Sequence, residues 1–221
     1  MMSFSEIMEL VGISTLQTFE MVVFSTIFST ILGFPLGVLL CSSNPKTGLV
    51  PRPLLNQVIT RIVNVLRSFP FIILMIVLFP LSRIILGTSI GTTATIIPLS
   101  IAAAPFVARI IETALNEVSP ELIQAARAMG STNGQIIRKV LVPEAMPSIV
   151  DGITLTVINL IGCSAMAGAI GGGGLGDLAI RYGYQRNRVE LLVAAVVVIL
   201  IIVEVVQWIG SGISKKMLSR R

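Results

Sequence analysis

The 221-residue sequence contains no histidine and only two cysteines, Cys41 and Cys163. Without histidine, the chain cannot build histidine-ligated metal sites, Ser-His or Cys-His catalysis, or an imidazole pH sensor. Both cysteines lie in or beside apolar segments and form no spaced pair, so the sequence supports neither a disulfide framework nor a thiolate metal site. These absences exclude most hydrolase and metalloprotein classes.

Charged residues are also scarce, at 12% of the chain against 54% hydrophobic residues. Soluble domains contain about 25% charged and 45–50% apolar residues, and the mean hydropathy here is strongly positive at +0.93. This composition is typical of a membrane protein. The net charge of +5 does not predict nucleic-acid binding, because the basic residues stand at the ends of apolar segments rather than on one stripe.

Several apolar runs are long enough to cross the hydrocarbon core, which takes about 20 helical residues. The predicted spans lie around residues 16–41, 58–81, 92–108, 149–170 and 191–209. We therefore predict an all-α polytopic membrane protein with five transmembrane helices. No internal repeat or separate soluble region is visible, so residues 1–221 are predicted to form a single transmembrane domain.

The distribution of basic residues predicts the orientation. No Lys or Arg precedes Lys46, whereas the C-terminal segment is basic. By the positive-inside rule, the N-terminus is expected outside and the C-terminus in the cytoplasm. The polar segment 119–143 then lies on the cytoplasmic side. Within the spans, Gly33 with Gly37 and Gly168 with Gly172 have the small-xxx-small spacing that lets helices approach closely.

Segment 119–143 predicts two short helices. Ser119 is a candidate N-cap, Pro120 suits the first helical position, and Gly130 suits a left-handed turn at the end. The apolar residues of the first helix share one face and are expected to be less exposed than Glu121, Gln124 and Arg127; they are Leu122, Ala125, Ala126 and Met129.

The second short helix is predicted to begin at Thr132. Thr132 and Gln135 have the spacing of a capping box. Pro143 is expected to end this helix, because proline disfavours continuation of a helix from the residue before it.

The pattern Gln124-Ala125-Ala126, three residues, Gly130, nine residues, Val140-x-Val142-Pro143 resembles the cytoplasmic loop of type I ABC import permeases. That family has Glu-Ala-Ala, Gly and Ile-x-Leu-Pro at the corresponding places. The resemblance implies that the loop docks into a separate ATPase subunit and carries its closure into the membrane. The implied ATPase-coupling residues are Glu121, Gln124, Ala125, Ala126, Arg127, Gly130, Val140 and Pro143.

Three further segments are similar to the methionine permease branch of this family: SFPFIIL at 68–74, APFVAR at 104–109 and SAMAGAIGGGGLG at 164–176. The resemblance implies a homodimer in a bacterial inner membrane, with a central route for methionine. It also implies two cytoplasmic ATPase subunits and an extracytoplasmic methionine-binding protein as partners. The chain has no Gly-x-x-x-x-Gly-Lys-Ser/Thr loop, so ATP and Mg²⁺ are expected on the partner, and the chain itself is expected to be neither an enzyme nor a cofactor-binding protein.

Met166 and Ile170, one turn apart near the predicted outer end of the fourth span, are candidates for an apolar gate, although core packing is an equally good interpretation. Ser68 and Ser164 are candidate pathway residues. The glycine run at 171–174 is interpreted as a flexible or closely packed outer turn, because a phosphate cradle is not expected outside.

On the outer side, Arg181, Tyr184 and Arg186 are candidates for docking a binding protein, or for anchoring at the membrane interface. On the inner side, Arg67 or Arg61 is predicted to pair with Asp151, with snorkelling to the lipid headgroups as the alternative.

Three other functions remain as alternatives: a permease for another amino acid, a stand-alone secondary transporter, or a channel. A weaker alternative comes from Gly174-Leu175-Gly176-Asp177, a string also found in intramembrane aspartyl proteases. That chemistry needs a second carboxylate close by. Asp151 is the nearest aspartate in sequence, and it is expected near the opposite end of the same span.

Overall fold

The computed structural model describes residues 4–219, and these form helices and connecting turns without a β-strand. Two stretches are π-helical, Ile137–Leu141 and Leu178–Tyr184. The α-helices are α1 (Phe4–Ser42), α2 (Pro53–Ser68), α3 (Phe71–Leu86), α4 (Thr92–Asn116), α5 (Pro120–Ala128), α6 (Asn133–Ile136), α7 (Val142–Ala169), α8 (Gly174–Asp177) and α9 (Val189–Leu218). The predicted all-α fold is confirmed.

Four unbroken helical segments within residues 4–219 are long and apolar enough to cross a membrane. They are Ser5–Ser42, Thr92–Asn116, Asn133–Ala169 and Val189–Leu218. The pair α2 and α3 meets the same criteria only when taken together, and it is bent by 106°. The number of spans is therefore four, or five if the bent pair counts as one.

The bend corrects the prediction that residues 58–81 form one continuous transmembrane helix. Phe69 has an extended backbone, with φ −72° and ψ 134°, and ends α2. The cause is the following Pro70, whose ring disfavours the helical conformation of the residue before it. Pro70 then serves as the N-cap position of α3.

Helix α4 lies in the middle of the bundle, and α1 packs along it at very short range. A Cβ atom added to Gly33 would lie 2.7 Å from the Ala104 carbonyl oxygen, and one added to Gly37 would lie 2.6 Å from that of Ala108. The close approach predicted from the glycine spacing is thus confirmed. In lipid, where hydrophobic burial does not drive helices together, such backbone proximity supplies much of the packing energy.

Three of the four buried apolar clusters in residues 4–219 follow one another along these helices, and the fourth joins Leu40, Val63 and Ala108. The inner cluster lies where the last turns of α4 meet the first turns of α7, and its members include Ile111, Leu115, Ala126, Ile136 and Leu141. The middle cluster includes Met21, Leu99 and Leu160. The outer cluster joins the start of α1 to α8 and α9 and includes Val11, Leu175 and Leu191.

Pro143 does not end a helix, contrary to the prediction. The segment from Asn133 to Ala169 is continuous, and Pro143 lies in the first turn of α7 directly after the π-helical residues. The Val142 N–H donates to the Ile137 carbonyl five residues earlier. This wider turn accommodates a proline ring that a regular α-helix would exclude.

Candidate functional site

The turn between α5 and α6 is built around Gly130, as predicted. Its φ of +78° lies in the left-handed region that favours glycine. The Gly130 N–H donates to the Arg127 carbonyl at 2.9 Å, and the Ser131 N–H donates to the Ala126 carbonyl at 3.1 Å. These two bonds form a Schellman motif, which satisfies the last carbonyl groups of α5.

The capping box of α6 is also confirmed. The Gln135 N–H donates to the Thr132 hydroxyl, and the Thr132 N–H donates to the Gln135 side-chain oxygen at 2.8 Å. Two donors at the start of the helix are thereby satisfied reciprocally.

Ser119 occupies the N-cap position of α5, but its hydroxyl does not cap the backbone, contrary to the prediction. It donates instead to the Glu121 carboxylate, which is the stronger acceptor because it is ionised. This hydrogen bond lowers the pKa of Glu121 below its ordinary value. Glu121 therefore carries its negative charge near the positive end of the α5 dipole at neutral pH.

The buried face of α5 differs from the predicted one. Ala126 is buried in the inner cluster and Ile123 packs against it, while Leu122 is 43% and Met129 is 80% exposed. The prediction considered α5 alone, whereas in the structure α5 packs on the inner cluster through Ala126.

The exposed face of α5 thus carries an apolar strip consisting of Leu122, Ala125 and Met129. Glu121, Gln124 and Arg127 are exposed as well, and the Arg127 guanidinium reaches the Leu49 carbonyl at 3.4 Å.

The predicted coupling residues divide into two groups. Ala126 is buried and Val140 is half-buried against the inner cluster, so both hold the loop on the bundle. The others are exposed: Glu121, Gln124, Ala125, Arg127, Gly130 and Pro143.

One face of α7 is exposed from Asp151 to Met166, and we call it the α7 stripe. Its members recur every three or four residues and are Asp151, Leu155, Asn159, Gly162 and Met166. A carboxylate and an amide on a membrane-spanning face are costly against lipid. The stripe is therefore typical of a face that meets protein or water. Asn159 was missed by the sequence analysis, although its polarity within an apolar span is a visible signal.

The predicted gate and pathway residues occupy different environments. Met166 is 48% exposed on the α7 stripe, and Ile170 is half-buried at the end of α7. Ser164 is buried away from the stripe, and its hydroxyl donates to the Ile161 carbonyl at 2.8 Å. Ser68 is exposed at the end of α2 and donates to the Asn64 carbonyl at 2.8 Å.

The glycine-rich segment after α7 is closely packed against α1. The Gln17 side-chain oxygen accepts the Gly174 N–H at 2.8 Å, and the Thr18 hydroxyl accepts the Leu175 N–H at 2.9 Å. A Cβ atom on Gly168 would lie 2.3 Å from the Asp177 nitrogen. Of the two interpretations of this segment, close packing is the one that the structure supports.

Arginines and tyrosines form an exposed patch beyond this segment. The guanidinium groups of Arg181 and Arg186 lie 5.1 Å and 4.7 Å from the centre of the Tyr182 ring, and Tyr184 is 76% exposed. Arg181 also forms a salt bridge of 2.7 Å with Asp177. An aspartyl protease needs a second carboxylate beside the first, whereas the partner of Asp177 here is a guanidinium.

The predicted ion pair between Asp151 and Arg61 or Arg67 is not formed within residues 4–219. Asp151 accepts a hydrogen bond of 2.7 Å from the Ser214 hydroxyl of α9. The Arg67 guanidinium lies over the Phe106 ring, 5.9 Å from its centre. The prediction failed because α9 supplies Asp151 with a hydroxyl partner and α4 supplies Arg67 with an aromatic ring. Among the described residues, no group of three or more Cys, Asp or Glu side chains could hold a metal ion.

Comparisons with known proteins agree with this architecture. Residues 33–219 match the family described as binding-protein-dependent transport system inner membrane component. The chain is 47% identical over 203 residues to the probable D-methionine transport system permease protein MetI of Vibrio cholerae, covering 92% of this chain and 90% of that protein. It is 49% identical over 159 residues to the methionine import system permease protein MetP of Bacillus subtilis, covering 72% of each.

A solved structure of the MetNI methionine ABC transporter in an inward-facing conformation contains a similar chain. The TM-score is 0.95 at 42% sequence identity, covering 98% of this chain and 99% of that one. The resemblance to ABC import permeases inferred from the loop is thereby confirmed. This chain belongs to the family of binding-protein-dependent transport system inner membrane components, and is thus a transport subunit.

Proposed function

We propose that this chain is the membrane-spanning permease subunit of an ATP-driven methionine importer. Two copies enclose the route, two ATPase subunits bind the α5 helices in the cytoplasm, and a methionine-binding protein docks outside. The observation that carries this proposal is the exposed apolar strip of α5. The strip faces outward because the helix packs on the bundle through Ala126, and the helix ends at the left-handed turn of Gly130. An exposed apolar strip on a short surface helix is typical of a protein interface. The names of the relatives favour methionine as the substrate.

The loop connects the surface proposed to bind the ATPase to the membrane-spanning helix α7. Its first helix is held to the α1–α2 connection by Arg127 and to the inner cluster by Ala126. Its second helix runs without interruption into α7, which carries the α7 stripe. A displacement of α5 by a closing ATPase would therefore tilt α7 as a rigid element, and would move Met166 at the opposite end.

The polar residues of the α7 stripe are best accommodated if the stripe faces a second copy of the chain. Asp151 and Asn159 are costly on a lipid-facing surface, and a symmetric dimer can enclose both stripes around a water-filled route. Met166 then faces the route near its outer end, with Ile170 one turn beyond. We propose that these two residues form the apolar gate; Ser68, exposed at the end of α2, stays a predicted pathway residue.

The proposal is tested by uptake of labelled methionine into proteoliposomes that contain this chain, its partner ATPase and the binding protein. We expect uptake that requires ATP hydrolysis, is absent with a hydrolysis-deficient ATPase, and is competed by methionine only. Uptake without a functional ATPase would instead indicate a secondary transporter or channel. Competition by another amino acid with equal strength would assign a different substrate.

The outer patch gives a second prediction. Reversing one charge with Arg186→Glu should weaken binding of the binding protein about fivefold to tenfold, and more strongly at low ionic strength, because rim charges act through screened electrostatic attraction. Arg83→Glu is the matched control, since Arg83 is an exposed arginine at the end of α3. Affinity of the purified components, measured at two salt concentrations, checks the result. Equal losses in both variants would contradict docking at the patch.

A further inference from the structure

A cavity of about 420 Å³ lies at the end of the bundle that carries α5, between the last turns of α4 and the first turns of α7. The end of α2 contributes Arg67 to its wall. Phe106, Ile110 and Leu155 supply apolar surface, and Asp151 supplies a carboxylate. The cavity therefore combines an apolar wall with one cationic and one anionic group from different helices.

Other charged groups of the cavity already have charged or strongly polar partners. Arg109 forms a salt bridge of 2.6 Å with Glu112 and donates to the Asn64 side chain at 2.7 Å. Glu117 accepts a hydrogen bond of 2.7 Å from Ser148. Within residues 4–219, Glu117, Arg67 and Asp151 therefore have no counter-charge.

Of these three, Arg67 carries the positive charge, and Asp151 is the carboxylate that also lies on the α7 stripe. In the described residues the Arg67 guanidinium lies over the Phe106 ring, and the Asp151 carboxylate accepts a hydrogen bond from the neutral Ser214 hydroxyl. Opposite charges that line one cavity without pairing can be bridged by a ligand that carries both signs. A free amino acid is such a ligand, because its α-carboxylate and α-ammonium stand on one carbon atom.

The cavity is also continuous with the α7 stripe. Asp151 and Leu155 are the stripe residues at its inner end, and Met166 is the stripe residue at the other. Fifteen helical residues separate Asp151 from Met166, a distance of about 22 Å along the helix axis. A solute that passes the gate and follows the stripe would therefore arrive at this cavity.

We propose that the cavity is a release site for the zwitterionic head of the transported amino acid, an inference that rests on the proposed function. Arg67 binds the α-carboxylate, Asp151 binds the α-ammonium, and Phe106, Ile110 and Leu155 contact the side chain. Both charged residues are exposed, so water competes for them and binding is weak. Weak binding suits a site from which the substrate must leave.

The test uses the complete transporter in nanodiscs without the binding protein, and a photoreactive diazirine analogue of methionine as the probe. Peptide mass spectrometry identifies the labelled residues, expected at Phe106, Ile110 and Leu155. Three competitors are compared: methionine, methylthiopropylamine, which lacks the carboxylate, and methylthiobutyrate, which lacks the ammonium group. In the wild type, methionine should compete roughly tenfold better than either, because each lost contact is a charge-assisted hydrogen bond.

The variants assign each charge to one group of the ligand. In Arg67→Gln the contact to the carboxylate is lost, so methionine and methylthiopropylamine should compete equally. In Asp151→Asn the contact to the ammonium group is lost, so methionine and methylthiobutyrate should compete equally. A merely structural role would not produce this matched loss of discrimination. Glu204→Gln, which removes an exposed carboxylate from α9, is the control and should behave as the wild type.

The inference is overturned if the wild type does not discriminate among the competitors, or if either variant retains the discrimination of the wild type. Labelling displaced by an anionic lipid but not by methionine would also reject it, in favour of a lipid headgroup site. ATP-dependent uptake is measured in parallel, in proteoliposomes made from the same purified transporter and supplied with the binding protein. If uptake is intact but the competitors do not differ in how well they reduce labelling, the release site alone is rejected. If ATP-dependent uptake is absent, the proposed function is rejected.

Discussion

Replacing Gly37 by valine is expected to lower the free energy of unfolding by about 3 kcal/mol, the upper end of the usual cost of overpacking a core. A Cβ atom at this position would lie 2.6 Å from the Ala108 carbonyl oxygen and from the Ile111 Cβ. The backbone of α4 cannot yield there without moving α1 away along its length. Because α1 and α4 form the most extensive helix contact of the fold, the loss should extend to the whole bundle.

The matched control for this variant is Gly12→Val in the same helix. No atom outside the neighbouring backbone lies within 4 Å of a Cβ atom built on Gly12. Both variants add the same β-branched side chain, so their difference isolates the helix contact from helix propensity. Reversible unfolding of the purified protein in mixed micelles measures both. Equal stability of the two variants would contradict the role assigned to Gly37.

Replacing Gly130 by valine is expected to reduce ATP-dependent uptake at least tenfold without unfolding the bundle. The φ of +78° is strained for a β-branched residue, at a cost of about 1–3 kcal/mol. No neighbouring atom lies within 4 Å of an added Cβ, so the effect arises from the backbone alone. The strain is relieved when the Schellman motif opens, and α5 then no longer presents its apolar strip to the ATPase.

Gly130→Asn is the control for the turn, because asparagine adopts the left-handed conformation far more readily than valine. We expect this variant to retain most of the uptake. Uptake and ATP hydrolysis stimulated by the binding protein should be measured together, since loss of coupling lowers uptake more than hydrolysis. Wild-type uptake by Gly130→Val would exclude the turn from the coupling mechanism.

Features that depend on a few neighbouring residues were predictable. The left-handed turn at Gly130 and the capping box of Thr132 and Gln135 follow from backbone geometry and short hydrogen bonds. The close approach at Gly33 and Gly37 follows from the absence of side chains. The apolar runs at 16–41, 92–108 and 191–209 lie within unbroken helices that could cross a membrane, and the run at 149–170 extends one residue beyond the fourth.

Features in which two local tendencies compete were not predictable. Pro70 breaks an apolar run, whereas Pro143 lies within a continuous helical segment. The difference is the π-helical turn before Pro143, which depends on how residues 137–141 pack on the inner cluster. A proline signal alone does not distinguish these outcomes.

Composition and short-range pattern were sufficient to identify an all-α membrane protein with a loop of the import permease type, because hydropathy, turn geometry and loop spacing are local properties of the chain. Tertiary structure alone decided which face of α5 is exposed, which partner Asp151 has, and that Arg67 and Asp151 line one cavity. These depend on contacts between residues far apart in sequence, such as Ser214 with Asp151 and Arg67 with Phe106. Burial and partner choice are properties of the packed bundle, and no local window of the sequence contains them.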